Sequence, residues 1–232
     1  MSPPHSSHTH HGHASDIAEA NRQHFDNFAS QVHQLPGIVE LTQNCVREIL
    51  KAYPFKEGET VAMDFACGTG LIARELVPHV KSILGVDISQ GMLDEFERLT
   101  RDNNVLPEKM HAVRCDLEGK EGELDGTKFD VIFCASSYHH FESIDKVTSI
   151  LAYFLKPGGT LIVLDFEKTE REFATDEVHR KMIPHTKGLD KAEIFRAFAH
   201  GNLEAASYQH AFKARVSDIP HSYFVAIGVK PQ

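Results

Sequence analysis

No run of lysine or arginine occurs anywhere in the 232 residues, and 24 basic side chains face 33 acidic ones, a formal charge of -9. That balance argues against a nucleic-acid partner. Long apolar runs are missing too. None approaches the roughly 18 to 20 consecutive residues that a membrane span needs, and the N-terminus lacks the basic-then-apolar layout of a signal peptide. Cysteine is scarce, and Cys45, Cys67, Cys115 and Cys134 share no short spacing. Neither a disulfide framework nor a CxxC metal site is indicated. Internal repeats are lacking as well. The expectation is a soluble protein of a reducing, cytoplasmic compartment, with no membrane partner, no resident metal and an open oligomeric state. The length suits one large domain with extensions.

What is present falls into three stretches. Residues 1–15, MSPPHSSHTHHGHAS, have almost nothing to bury and read as a disordered tail. His5, His8, His10, His11 and His13 are of the type that binds nickel, copper or zinc, but a solvated tail is the simpler reading. Residues 16–57 read as two helices. The first carries Phe25, Phe28, Ala29 and Val32 on one stripe. The second starts near Pro36, buries Ile38, Thr42, Cys45 and Ile49, and stops before Pro54.

From residue 58 onward strands and helices alternate. TVAMDF (60–65), SILGVD (82–87), HAVRCD (111–116), FDVIFCA (129–135) and GTLIVLDF (159–166) read as strands. Between them come helices at 71–80, after Ser89, and at 143–155, the last closed by Pro157-Gly158-Gly159. Short apolar strands interleaved with helices predict a doubly wound α/β fold with a mostly parallel sheet. Asp190 and Glu193 form a capping box for a helix from 191 to about 200, with Leu189 and Ile194 at the staple positions. Two closing strands joined by a short turn near Asp218 predict an antiparallel hairpin on the sheet edge.

The segment VAMDFACGTGLIA (61–73) runs a strand straight into Gly68-Thr69-Gly70 and a helix. Glycines permit the turn and let backbone approach a ligand, while the helix start offers free N–H groups. Gly68-x-Gly70-x-x-Ala73 satisfies the loose dinucleotide fingerprint, so an NAD-dependent oxidoreductase is one reading. Asp64, at the end of the first strand, opposes it, because a carboxylate there repels a diphosphate and attracts a cation. Asp87 ends the second strand, where a ribose-binding acid belongs. Asp116 ends the third and can accept from an exocyclic amine. Cys67 has no neighbouring base or cation to lower its pKa and reads as a filler. Three acids at three consecutive strand ends describe a ligand with a cationic end, a ribose and an adenine-like amine.

Together, D-F-A-C-G-T-G, G-V-D-I-S, R-C-D-L and L-K-P-G-G-T-L-I resemble the motifs of class I S-adenosylmethionine-dependent methyltransferases, of the small-molecule kind grouped with the ubiquinone-biosynthesis enzymes. The resemblance is strong over residues 60–166 and looser outside them. It implies a seven-stranded sheet and a methyltransferase domain over 58–232 behind a helical cap at 16–57. It also implies S-adenosyl-L-methionine as cofactor and a small-molecule acceptor with an O, N, S or C nucleophile. It places Asp64, Ala66, Gly68 and Gly70 around the methionine part of the cofactor, and Asp87 on the ribose. Ile88 and Met92 would pack near the adenine, with Asp116 and Leu117 at its edge. Cys67, Thr69 and Ala135 join the cofactor positions, and Phe25 would act as a lid from the first helix. A non-catalytic cofactor-binding regulator is the third reading.

SSYHHF (136–141) follows the fourth strand and reaches the carboxyl edge of the sheet, where ligands of such folds lie. Adjacent histidines with no carboxylate or cysteine beside them make a poor metal site. His140, by the resemblance, shapes the cofactor pocket, with a general base as the alternative. Tyr138 and His139 are candidates to meet substrate. His185, in IPHTKG, is another wall candidate, and His139 or His185 is the candidate for assisting deprotonation. The Asp-Pro-Pro-Tyr type of motif of nucleic-acid amino methyltransferases does not follow strand four.

Overall fold

The computed structural model describes residues 16–173, 176–216 and 219–232; the N-terminal histidine-rich stretch and most of the final turn lie outside them. Seven strands form one sheet in the order β3-β2-β1-β4-β5-β7-β6. They are β1 (Val61–Phe65), β2 (Ser82–Asp87), β3 (Met110–Arg114), β4 (Phe129–Ala135), β5 (Leu155–Phe166), β6 (Glu204–Val216) and β7 (Ile219–Val229). The first five are mutually parallel, and β7 runs antiparallel between β5 and β6. This is the sheet the sequence predicts, with the closing hairpin at its edge.

Alternation along the strands feeds two cores, one per sheet face. Ala62, Val131 and Ile162 pack on the same side as Cys45 and Ile49 of α2 (Ile38–Ala52). Met63, Ile132 and Val163 face the other side, against Leu151 of α5 (Ile144–Phe154) and Phe198 of α7 (Lys191–His200). The remaining helices are α1 (Asp16–Phe28), α3 (Leu71–Leu76), α4 (Gln90–Asp102) and α6 (Glu177–Met182). The capping box at Asp190 and Glu193 is formed, with Leu189 and Ile194 fully buried beside it.

Several boundaries differ from expectation for local reasons. The first helix gives way at Ala29 to a 3-10 segment reaching Gln34, so the 25, 28, 29, 32 stripe is not continuous α-helix. The helix expected over 71–80 is α-helical only to Leu76, because Pro78 has no N–H to continue the ladder. The third strand stops at Arg114, before Asp116. Pro157-Gly158-Gly159 does not close the preceding helix, which ends at Phe154. It sits inside β5 at a register shift against β4, where Phe129 pairs with Leu155 but Val131 pairs with Thr160. A Cβ on Gly159 would stand 2.8 Å from the Lys156 carbonyl oxygen, so that irregularity needs glycine.

The outer strand β6 is shifted in register twice against β7, between Ala205 and Ser207 and between His210 and Phe212. No described helix is long and apolar enough to cross a membrane.

Candidate active site

The strand order reverses between β1 and β4, which opens a crevice at their carboxyl ends. Both strands leave the sheet through a non-glycine residue in the left-handed region, Ala66 at φ 56 and Ser136 at φ 55. Non-glycine residues in this region are uncommon, and both line the cavity that fills the crevice. After Ala66 the loop uses Gly68 at φ 52 and Gly70 at φ 74. At Gly70 a Cβ would also collide with the Phe96 ring at 2.4 Å, so conformation and space both demand glycine there.

Asp87 fastens this loop. Its Oδ2 accepts from Gly68 N at 2.8 Å and its Oδ1 from Ser89 N at 2.9 Å. Ser89 caps α4 by accepting from Met92 N at 3.2 Å, and its hydroxyl donates to Asp26 Oδ1 at 2.7 Å. Asp26 also accepts from Gly91 N at 3.0 Å. A relay of hydrogen bonds therefore runs from the glycine loop through Asp87 and Ser89 to α1. Burial raises the Asp87 carboxyl above its ordinary pKa, with the Ser89 and Gly68 N–H groups pulling the other way. At Asp26 burial also opposes charge, but the Gly91 N–H, the Ser89 hydroxyl and Arg22 outweigh it and hold the carboxyl below its usual value.

The cavity has a volume of about 380 Å³, within the range of roughly 300 to 1,000 Å³ of small-molecule sites. Ala66, Gly68, Asp87, Ile88, Met92, Asp116, Leu117 and Phe25, all singled out in the sequence, lie on its wall. Burial raises the Asp116 carboxyl, and Lys146 across the cavity opposes that. Asp64, Cys67, Thr69, Gly70 and Ala135 are not on the wall. Asp64 shares the parity of Ala62, points to the α2 side, is 3% exposed and accepts from the Ala73 backbone. Burial, reinforced by the Asp87 charge, pushes its carboxyl well above the ordinary value. It supports the loop from behind. Burial likewise pushes the Cys67 thiol well up, as befits a filler.

The four aromatic residues picked out after β4 and near α7 separate sharply. Tyr138 is fully buried with its hydroxyl on Thr148 Oγ1 at 3.1 Å, so it is core and not a substrate wall. His139 is 4% exposed and also off the wall. Its Nδ1–H donates to Asp165 Oδ1 at 2.7 Å and its backbone N–H to Asp165 Oδ2 at 3.2 Å. Burial opposes the Asp165 charge, but His139 and two backbone N–H groups hold the carboxyl below its usual value. His185 spends its Nε2 on the Phe141 carbonyl oxygen at 3.1 Å and its N–H on the His139 carbonyl at 3.3 Å. Neither His139 nor His185 is among the residues lining the cavity.

His140 alone of the three lines the cavity. Its Nδ1–H donates to the Met182 carbonyl oxygen at 3.1 Å, and its ring meets Phe25 edge-on at 5.3 Å. Burial, with His139 beside it, pushes its pKa down to about 3. It is therefore a neutral imidazole at neutral pH.

Sequence reasoning missed Asn21, Asp26 and Lys146, while Ser137 and Phe141 lie on the wall within the stretch 136–141 that it had placed at the sheet edge. Asn21 donates to Ile17 O at 3.0 Å and to Met182 O at 2.9 Å. Its partner lies 161 residues away, and no local pattern signals such a pairing. The first-helix signal at Phe25 did point toward this wall.

The residues present fit an adenosyl sulfonium compound. Each Asp87 oxygen keeps a lone pair for a hydroxyl, Ile88, Met92 and Leu117 offer an apolar slot, and the charged wall residues Asp87, Asp116, Glu118 and Glu142 face one cation, Lys146. That excess of acid favours a sulfonium and disfavours a dinucleotide diphosphate.

Residues 62–159 match a family model described as a methyltransferase domain. An uncharacterised methyltransferase of Schizosaccharomyces pombe is 35% identical over 158 residues, covering 65% of this chain and 55% of that protein. The chain thus spans about half the length of that relative. A ubiquinone biosynthesis O-methyltransferase of Rickettsia bellii is 22% identical over 170 residues, 69% of this chain and 68% of that protein. Among solved structures, magnesium protoporphyrin IX methyltransferase of Synechocystis with bound S-adenosylmethionine superposes with a TM-score of 0.63 at 16% identity. The superposition covers 94% of this chain and 99% of that one, and shows a shared fold.

Proposed function

Residues 62–159 match a methyltransferase-domain model, and from that likeness and the cavity's lining we propose that the protein transfers a methyl group from S-adenosylmethionine to a small-molecule acceptor. The observation that carries this reading is the meeting of the Gly68 turn, Asp87 and Asp116 in one cavity at the strand-order reversal. The S. pombe and Rickettsia relatives support it. When bound, the cofactor supplies a sulfonium methyl open to in-line attack by a lone pair.

The chain's own residues have limited tasks in this reading. Asp87 receives hydroxyl protons while holding the glycine loop and α4 in register. Ile88, Met92 and Leu117 cover a flat ring, and Asp116 accepts at its edge. The first helix, α1, excludes water by laying Asn21 and Phe25 over the cavity. Neutral His140 receives and orients a donor of the acceptor instead of carrying charge. An intracellular enzyme accords with four cysteines that are all free thiols.

Calorimetry with S-adenosylhomocysteine and with NAD tests the reading, followed by turnover on an acceptor panel read as S-adenosylhomocysteine release. Wild type should bind S-adenosylhomocysteine and not NAD, and Asp87→Ala should bind it at least ~10-fold more weakly, the loss of charge-assisted hydrogen bonds. Binding of NAD alone would sink the proposal. Tight S-adenosylhomocysteine binding without turnover on any acceptor would favour a binding module instead.

A further inference from the structure

Helix α4 starts against the cavity, with Ile88 just before it and Met92 in its first turn on the wall, yet that first turn carries no acidic residue. The first N–H groups of a helix have no partner inside it, and a negative charge beside them is favourable. Met92 N is met by Ser89 Oγ at 3.2 Å. Gly91 N is met from outside the helix, by Asp26 Oδ1 at 3.0 Å, a carboxylate 65 residues earlier in the chain. Asp26 therefore supplies from α1 the acid that α4 lacks.

The same oxygen decides what Ser89 can do. Asp26 is held in its ionised form, and an ionised carboxylate only accepts. The 2.7 Å contact thus fixes the Ser89 hydroxyl proton on Asp26 and leaves a lone pair of Oγ for Met92 N. With its side chain so held, Ser89 points its own N–H at Asp87 Oδ1, at 2.9 Å. Arg22 Nη1 donates to the other Asp26 oxygen at 2.8 Å and steadies the carboxylate from within α1.

Gly91 shows how closely the two helices meet. A Cβ there would stand 2.5 Å from the Asp26 carbonyl oxygen and 2.9 Å from its Cα. The α1 backbone lies directly on the first turn of α4, in a space that only glycine leaves. Elsewhere α1 has a thin hold on the molecule. Of its 13 residues Asn21 alone is buried, and Ile17, Ala18 and Phe25 line the cavity. Asp26 itself is not on the cavity wall.

Resting on the adenosyl-cofactor reading, we propose that Asp26 is a positioning residue for cofactor binding, capping α4 from α1 and, through Ser89, keeping the Asp87 carboxylate turned toward the cofactor hydroxyls. Seating of α1 and occupation of the cavity are then one coupled event. A ligand that engages Asp87 tightens α1, and a seated α1 tightens the ligand by the same factor.

The test is calorimetry with S-adenosylhomocysteine on the full chain, as wild type, Asp26→Ala, Asp26→Asn and Gly91→Ala. Asp26→Ala should bind about 10-fold more weakly, the loss of charge-assisted hydrogen bonds by a residue that touches no ligand. Asp26→Asn keeps an oxygen for Ser89 and Gly91, and should stay within ~3-fold of wild type. Gly91→Ala leaves every polar group in place and improves the helix propensity of α4. It should nonetheless weaken binding at least ~5-fold, because its methyl drives α1 off that turn. Hydrogen exchange of the α1 amides gives a readout that a general loss of stability would not move. Saturating S-adenosylhomocysteine should slow it ~10-fold in wild type, and less than ~3-fold in Asp26→Ala at equal saturation. Unchanged affinity in Asp26→Ala or in Gly91→Ala, an Asp26→Asn as weak as Asp26→Ala, or equal slowing in wild type and Asp26→Ala would each overturn the proposal. If Asp26→Ala does not fold, Gly91→Ala carries the test. A wild type that binds no S-adenosylhomocysteine overturns the cofactor reading itself, whereas one that binds it no better than the variants do overturns the role of Asp26 alone.

Discussion

Lowering the pH from 7 to 5 should destabilise the folded protein by about 2 kcal/mol through His140 alone. In the unfolded chain its imidazole titrates near the ordinary 6.5, whereas burial, helped by His139, holds the folded value at about 3. The unfolded state therefore binds the extra proton between those values, and stability falls as pH drops through 6.5, levelling off below the folded pKa. At pH 5 the unfolded imidazole is almost fully protonated and the folded one almost entirely neutral. The difference is about RT ln(1 + 10^1.5), close to 2 kcal/mol, against about 0.2 at pH 7. His24, His185 and His221 are also lowered by burial, so wild type alone would not isolate the effect. Urea unfolding of wild type and His140→Gln at both pH values does. The variant should lose about 2 kcal/mol less across the interval. Equal pH dependence in the two proteins, or an NMR titration of His140 with a midpoint near 6.5, would refute the reasoning.

Two further outcomes follow from local geometry. Gly70→Ala combines a backbone at φ 74 with a methyl 2.4 Å from the Phe96 ring, so it should cost about 2–4 kcal/mol in urea unfolding; a neutral result would mean the loop is not held as described. Asp165→Ala strands the buried His139 ring and backbone N–H groups without their acceptor, and should destabilise by about 2–4 kcal/mol, partly relieved when His139→Ala is added; strict additivity in that double-mutant cycle would deny the coupling.

Local chemistry made the fold legible. The capping box at Asp190, the cap at Ser89 and the glycine turn each announce themselves within a few residues, and all three are where the sequence puts them. The site was legible only where side chains follow strand parity. Asp87 ends a regular strand and lies on the cavity wall. Beyond β4, parity is lost at Ser136, whose left-handed backbone leads into a 3-10 turn over Tyr138–His140. That turn drives Tyr138 and His139 inward and leaves His140 on the cavity. Asp64 is the opposite case, since regular parity turns it toward the α2 face and off the cavity lining. Asn21 and Met182 meet only through tertiary packing.

The two register shifts in β6 bear on how the molecule behaves in a crowded solution. A straight outer strand of 13 residues would offer neighbouring chains a continuous row of unpaired amides and carbonyls. Each bulge twists the strand and breaks that row, and the opposite edge, β3, is only 5 residues long. Neither border of the sheet is a long, flat template for fibrillar stacking. Removing a bulge residue to straighten β6 would hand the protein an aggregation seam.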